Sequence, residues 1–425
     1  MLRSFVRGRV GSYRVLFVLR VAQWPLRACL RPLTLHVPRD QSLLAFGAAS
    51  NRFAGNSAYL YLHMSERDDV RCVWVSGSRA VVAALRQRDL AAVYRWSIPG
   101  MWVATRAAWY VFSSYRSDVN LWLGDGARTF NLWHGVGVKR IQHDRVVGAG
   151  ATVYAAAEGS LTARVFADDR HQPDFVLSTS EGMGHVLSRA FDIPRDRCPP
   201  LGYPCNDHLA AGMAPPAALV DGELYRQLGD RPVIGYFPTY RDDSVTLPGG
   251  SSAVVEELAQ IADAQGAVLL FKAHSASVVP LQSNGALVVL PRTADLNAYL
   301  GACDVLVTDY SSVASDYLLL DRPIVLFCPD LEAYDGNRGF ALDPREFLPG
   351  IMTRTLDELY AALSDIRSIP RSGNHRRALD FYWDEGARDE TCERIAAFVV
   401  AQTEPARGAP KPLAVAAPHH SAARL

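Results

Sequence analysis

A chain of 425 residues with 49% apolar and 21% charged side chains is long enough for two or three domains, and its zero formal net charge gives it no global attraction to nucleic acid. No run approaches the roughly 20 apolar residues that a spanning helix needs, and no acidic cluster has metal-ligand spacing. Seven cysteines without a Cys-x-x-Cys pair argue against a zinc site and read as reduced thiols in a cytoplasmic protein.

Residues 1–40 form a basic amphipathic segment. Eight arginines (Arg3, Arg7, Arg9, Arg14, Arg20, Arg27, Arg31, Arg39) precede the first acid, Asp40, and are interleaved with Phe5, Tyr13, Leu16, Phe17, Leu19 and Trp24. The apolar run VLFVL at 15–19 is too short for a signal core or a span. Two readings fit: a helix lying on anionic lipid, or a helix packed on its own domain.

From 41 to 210 short apolar runs alternate with helical patterns. SLLAFGAA (42–49), VRCVWVSG (70–77), WYVFSS (109–114), TFNLWHG (129–135) and DFVLSTS (174–180) read as strands. The small-residue, Pro-containing stretch at 211–222 reads as a linker. The alternation restarts over 223–403 with PVIGYFPTY (232–240), AVLLFKAH (267–274), ALVVLP (286–291), DVLVTD (304–309) and PIVLFCP (323–329). The pattern predicts two α/β domains with parallel, helix-covered sheets and a ligand cleft between them. Residues 404–425 have no periodicity and read as a disordered tail.

Ligands of open α/β sheets bind outside the carboxyl ends of the strands. The polar residues predicted there are His134 with Gly135, Arg241, His274, Asp309 with Ser311 and Ser312, and Arg338 further on. Lysine occurs only at Lys139, Lys272 and Lys411, which makes the first two informative. Together these groups offer fixed cations, titratable bases and a helix start, which is equipment for an anionic leaving group such as a pyrophosphate. In TDYSSVASDYLLLDRPIVLF (308–327) the Asp-Tyr-Ser-Ser turn reads either as a plain helix cap or as a cap that also presents amides to phosphate. No G-x-x-x-x-G-K-[ST] and no G-x-G-x-x-G after a first strand is present, so NTPase and hydride chemistry have little support.

The blocks NLWHGVGVKRI, LGYPCNDHL, YFPTYRDD, FKAHS, VTDYSSVASDYLLLDRPIVLF and YDGNRGF occur in an order and spacing that resembles the CDP-glycerol glycerophosphotransferases of teichoic-acid and capsule synthesis. The resemblance runs from about residue 42 to about 400 and implies a GT-B-like pair of domains, acceptor-side first and nucleotide-donor second. It implies transfer of glycerol phosphate, or a related polyol phosphate, from a CDP-activated donor to an acceptor hydroxyl, with release of CMP and no obligatory cofactor or metal. The implied partners are the CDP-activated polyol, a lipid-linked or polymeric acceptor and the cytoplasmic membrane surface. By position, His134 and His274 match the family's active-site histidines, His134 as general base or orienting group. Arg241, Lys272, Asp309, Ser311, Ser312 and Arg338 fall on the donor and phosphate side, and Gly135, Lys139, Asn206 and Asp207 on the acceptor side. Three positions depart from the family pattern: Val136 for Thr, Ser275 for Pro and Cys205 for Arg. A sugar transferase or epimerase of the same architecture, and a non-catalytic nucleotide-binding membrane scaffold, are the competing readings.

Overall fold

The computed structural model describes residues 10–239, 252–272 and 281–403. Helix α1 (Val10–Leu35) precedes a first sheet of β1 (Asp40–Gly47), β2 (Arg71–Ser76), β3 (Ala92–Tyr94), β4 (Ala107–Phe112), β5 (Arg128–Asn131) and β6 (Phe175–Val176), with α2 (Gly55–Met64) joining β1 to β2. The second sheet holds β7 (Val233–Tyr236), β8 (Val268–Phe271), β9 (Leu287–Val289), β10 (Val305–Thr308), β11 (Ile324–Phe327) and β12 (Ile351–Thr353). Helices α3 (Ser252–Asp263), α4 (Val313–Tyr317) and α5 (Leu331–Asn337) belong to this half, and α6 (Thr391–Thr403) closes the described chain.

Strand order is β3-β2-β1-β4-β5-β6 in one sheet and β12-β11-β10-β7-β8-β9 in the other, so both have the doubly wound order, and every pairing is parallel. All six residues of β4 and all four of β7 are buried, as parallel strands covered on both faces require. The edge strands β3 and β12 were not expected from the sequence. The switch points, where strand order reverses, lie between β1 and β4 and between β7 and β10.

Both halves contribute to one continuous apolar core. Helix α6, within the segment assigned to the second domain, packs on the first sheet. Phe398 meets Phe130 and Phe175 at ring distances of 5.6 and 5.0 Å, and the Trp109 indole donates to Thr403 Oγ1 at 2.8 Å.

Helix α1 docks on the first half through one stripe. A stripe of Phe17, Arg20, Arg27, Leu30 and Thr34 faces the fold: Phe17 lies 6.1 Å from the Phe166 ring, and Arg20 pairs with Asp169. Arg39 donates to the carbonyls of Ala104 (2.9 Å), Ala107 (3.2 Å) and Leu123 (3.3 Å). The outward side carries Val18, Leu19, Val21, Trp24, Leu26 and Leu33. Among the described arginines of this helix, Arg20 and Arg27 turn toward the fold while Arg31 stays exposed, and apolar side chains share the outward side. Among the described residues no helix is long and apolar enough to cross a membrane.

Candidate active site in the interdomain cleft

The loop after β5 carries His134 on a scaffold of buried asparagines. Trp133 has φ of 53°, a left-handed conformation uncommon for a bulky residue, so its surroundings must hold it. Asn131 Oδ1 accepts from Trp133 N at 2.9 Å while its Nδ2 donates to the Ser114 carbonyl at 3.2 Å. Asn56, in the first turn of α2, donates to the carbonyls of Leu132 and Trp133 at 3.1 and 3.2 Å. The His134 Nδ1–H donates to the Ser113 carbonyl at 2.9 Å, which puts the ring's lone pair on Nε2. Asp118 fixes that acceptor segment by accepting from Ser114 N (2.9 Å) and Tyr115 N (3.2 Å). The ring itself is exposed.

Across the cleft stands the Asp-Tyr-Ser-Ser turn, and Gly135 is where the two motifs meet. A Cβ on Gly135 would lie 2.3 Å from Ser312 Oγ and 2.7 Å from Ser312 Cβ, and its φ of 149° also disfavours a side chain. Just beyond, 138–140 and 339–342 pair: Ala341 N donates to the Val138 carbonyl (2.7 Å), and Arg140 N to the Gly339 carbonyl (3.1 Å). Lys139 is bridged there through its backbone to Phe340, and half-buried Arg338 ends α5 beside the same contact.

Capping does not explain the two serines. Ser312 occupies the cap position of α4 without a side-chain cap, and Ser311 Oγ accepts from Val313 N only at 3.4 Å. The Ser312 hydroxyl lies at Gly135 instead. Buried Asp309 accepts from Thr239 N with both oxygens (3.1 and 3.0 Å), which ties the β7 and β10 ends together at the second switch point.

The other predicted residues divide. Lys272 Nζ donates to the Ala294 carbonyl at 2.8 Å, and burial with the nearby Arg52 charge pushes its pKa down to about 8. Buried Asn206 donates to Asp316 Oδ1 at 2.9 Å and accepts from Asn297 Nδ2 at 3.1 Å, an interdomain polar lock. Asp207 caps α6, accepting from Thr391 N and Cys392 N at 2.8 Å each, so both bonds are structural. Cys205 is buried beside Asn206. Arg241 and His274 lie outside the described residues. Among the described residues no group of three His, Cys, Asp or Glu side chains could hold a metal ion.

Sequence reasoning passed over Asn56, Asn131, Asp316 and Arg52. Asn131 and Asp316 stand inside the quoted blocks, but only the fold shows that one supports Trp133 and the other is fully enclosed. Burial pushes the Asp316 carboxyl up to about 7, against the opposing hydrogen bonds from Asn206 and Asn297.

Two doubly wound domains whose switch-point loops meet define a GT-B-like architecture. The sequence profile of the CDP-glycerol:poly(glycerophosphate) glycerophosphotransferases matches residues 30–399. The chain belongs to that family and is a transferase that takes a polyol phosphate from a CDP-activated donor. It is 28% identical over 327 residues to the teichoic acid glycerol-phosphate transferase of Staphylococcus aureus (strain NCTC 8325 / PS 47), covering 74% of this chain and 81% of that protein. It is 25% identical over 332 residues to the teichoic acid poly(glycerol phosphate) polymerase of Bacillus subtilis (strain 168), covering 75% of this chain but 43% of that protein. In fold it is similar to the wall teichoic acid polymerase TagF, with a TM-score of 0.69 at 21% identity over 93% of this chain and 99% of that one. A putative UDP-N-acetylglucosamine 2-epimerase from Listeria monocytogenes shares the architecture more distantly, with a TM-score of 0.50 at 12% identity over 88% of this chain and 98% of that one.

Proposed function

We propose that the protein transfers glycerol phosphate from CDP-glycerol to a terminal hydroxyl of a teichoic-acid-like polymer, at the cytoplasmic face of the membrane. The acceptor oxygen attacks the β-phosphorus, the bond from that phosphorus to the bridging oxygen breaks, and CMP departs with the bridging oxygen. His134 Nε2 receives the hydroxyl proton, because the Ser113 carbonyl holds the hydrogen on Nδ1. Ser311, Ser312 and Arg338 face the donor phosphates, with Asp309 shaping the turn. Arg241 and His274 take the donor-side roles that their motifs imply, and charge on the leaving phosphate is neutralised by these cations without an obligatory metal.

The observation that carries this reading is the contact of Gly135 with Ser312, which puts the proposed base loop against the proposed donor turn. Membrane attachment is proposed through the outward apolar side of α1, whose Val18, Trp24, Leu26 and Leu33 are between 45% and 67% exposed. The test is incubation with CDP-glycerol, CDP-ribitol and UDP-sugars, followed by mass analysis of nucleotide and polymer. CMP release with addition of glycerol phosphate is expected; release of UDP alone would overturn the reading.

A further inference from the structure

The loop after β1, at the first switch point, brings a cation into the cleft that no sequence motif marks. The half-buried Arg52 has its Nε–H enclosed with no acceptor among the described residues, and its Nη1 reaches only the Arg292 carbonyl, at 3.5 Å. From the second domain, Lys272 at the end of β8 donates to the Ala294 carbonyl two residues further along the same segment. Two cations from opposite domains therefore converge on 292–294. The nearby carboxylate, Asp295, already accepts from Gly55 N at 2.6 Å and from Asn297 N at 3.1 Å.

The geometry points to Arg52 and Lys272 as a subsite for a phosphodiester anion, the one next to the reacting hydroxyl of the acceptor. This rests on the transfer reading above and adds where the acceptor's charge is held. Two like charges beside one shared carboxylate leave one positive charge uncompensated, and a phosphodiester balances it with oxygens for both donors. The acceptor rather than the donor is assigned because Arg52 stands in the first half with His134; Lys272 reaches the subsite from the second half and thereby leaves the donor set in which the sequence placed it. Asp309, Ser311, Ser312 and Arg338 all belong to the second half. The lowered pKa of Lys272 agrees: burial and Arg52 lower it, Asp295 opposes them, and a bound anion restores the charged form.

The test compares glycerophosphoglycerol with the uncharged diglycerol as soluble acceptors. Arg52→Gln should raise KM for the phosphodiester by about 10- to 100-fold, the loss of a charge-assisted contact, while diglycerol turnover and CDP affinity barely move. Arg52→Lys should recover part of the loss. In the wild type, KM for the phosphodiester should climb as pH passes about 8 and Lys272 loses its proton. In Arg52→Gln that climb should move to higher pH, because a like charge has gone. A merely structural arginine would weaken both acceptors alike. Unchanged discrimination between the acceptors, or a matching fall in CDP affinity, would overturn the assignment. Calorimetry with glycerophosphoglycerol alone separates the two readings. Wild-type binding lost in Arg52→Gln supports the subsite even if CDP-glycerol is never turned over.

Discussion

The two halves share a strand order and differ in what stands at the switch point. In the first, neutral amides of Asn56 and Asn131 hold a left-handed Trp133 so that a titratable ring follows it. In the second, a carboxylate and packed aromatics build the turn: Asp309 holds Thr239 N, and Tyr310 lies 4.3 Å from the Tyr334 ring and 5.5 Å from Phe340. One frame thus presents the proposed base and the other the proposed donor-side hydroxyls. The frame sets where loops emerge, and the loops set the chemistry.

Removing the base is the hardest blow to this division of labour. His134→Ala should lower turnover by about two to four orders of magnitude while CDP binding measured by calorimetry is retained. Near wild-type turnover would mean the first half does not supply the base. Next in size is the seam between the halves. Gly135→Ala places a methyl 2.3 Å from Ser312 Oγ, so the loop and turn must separate. A displacement of about 1 Å costs on the order of 100-fold in rate, so kcat should fall to that extent with a lower melting temperature. Activity at the wild-type level would show that the seam does not align the site.

A third substitution asks whether α1 serves the membrane or only the first half. Trp24→Glu combined with Leu33→Glu should weaken binding to anionic vesicles by about 10-fold or more, since each large apolar side chain contributes about 1.5–3 kcal/mol when buried. Turnover of a soluble acceptor should be unaffected, because the stripe of Phe17 and Arg20 still docks on 166–169. Removing the whole segment is a poorer test, since Arg39 ties α1 to the backbone at 104–107 and at 123.

The smallest effect concerns the polar lock between the halves. Asp316 titrates near 7 in the fold, above its ordinary value, so its folded form holds the proton more tightly than the unfolded chain. Its contribution is full below the unfolded pKa and is lost as pH rises through about 7. Asp316→Asn keeps an acceptor for Asn206 and should stabilise the protein by about 2 kcal/mol at pH 8 and by less at pH 5. Melting curves at both values decide it, and an equal shift at the two would show that Asp316 is not titrating in this range.

Sequence by itself determined the two α/β halves, because alternating buried runs and helical patterns are local signals that solvent exclusion enforces strand by strand. It also marked His134, Asp309 and the two serines, because polar residues at strand ends are legible wherever strands are. Only the tertiary structure decided that Asp207 caps a distant helix and that Asn206 locks Asp316. It alone turned Arg20 and Arg27 inward, and it set Arg52 beside Lys272. Each of these depends on a partner far away in the chain. The identity of a side chain does not say which remote backbone amide, carbonyl or charge the closed fold will bring to it.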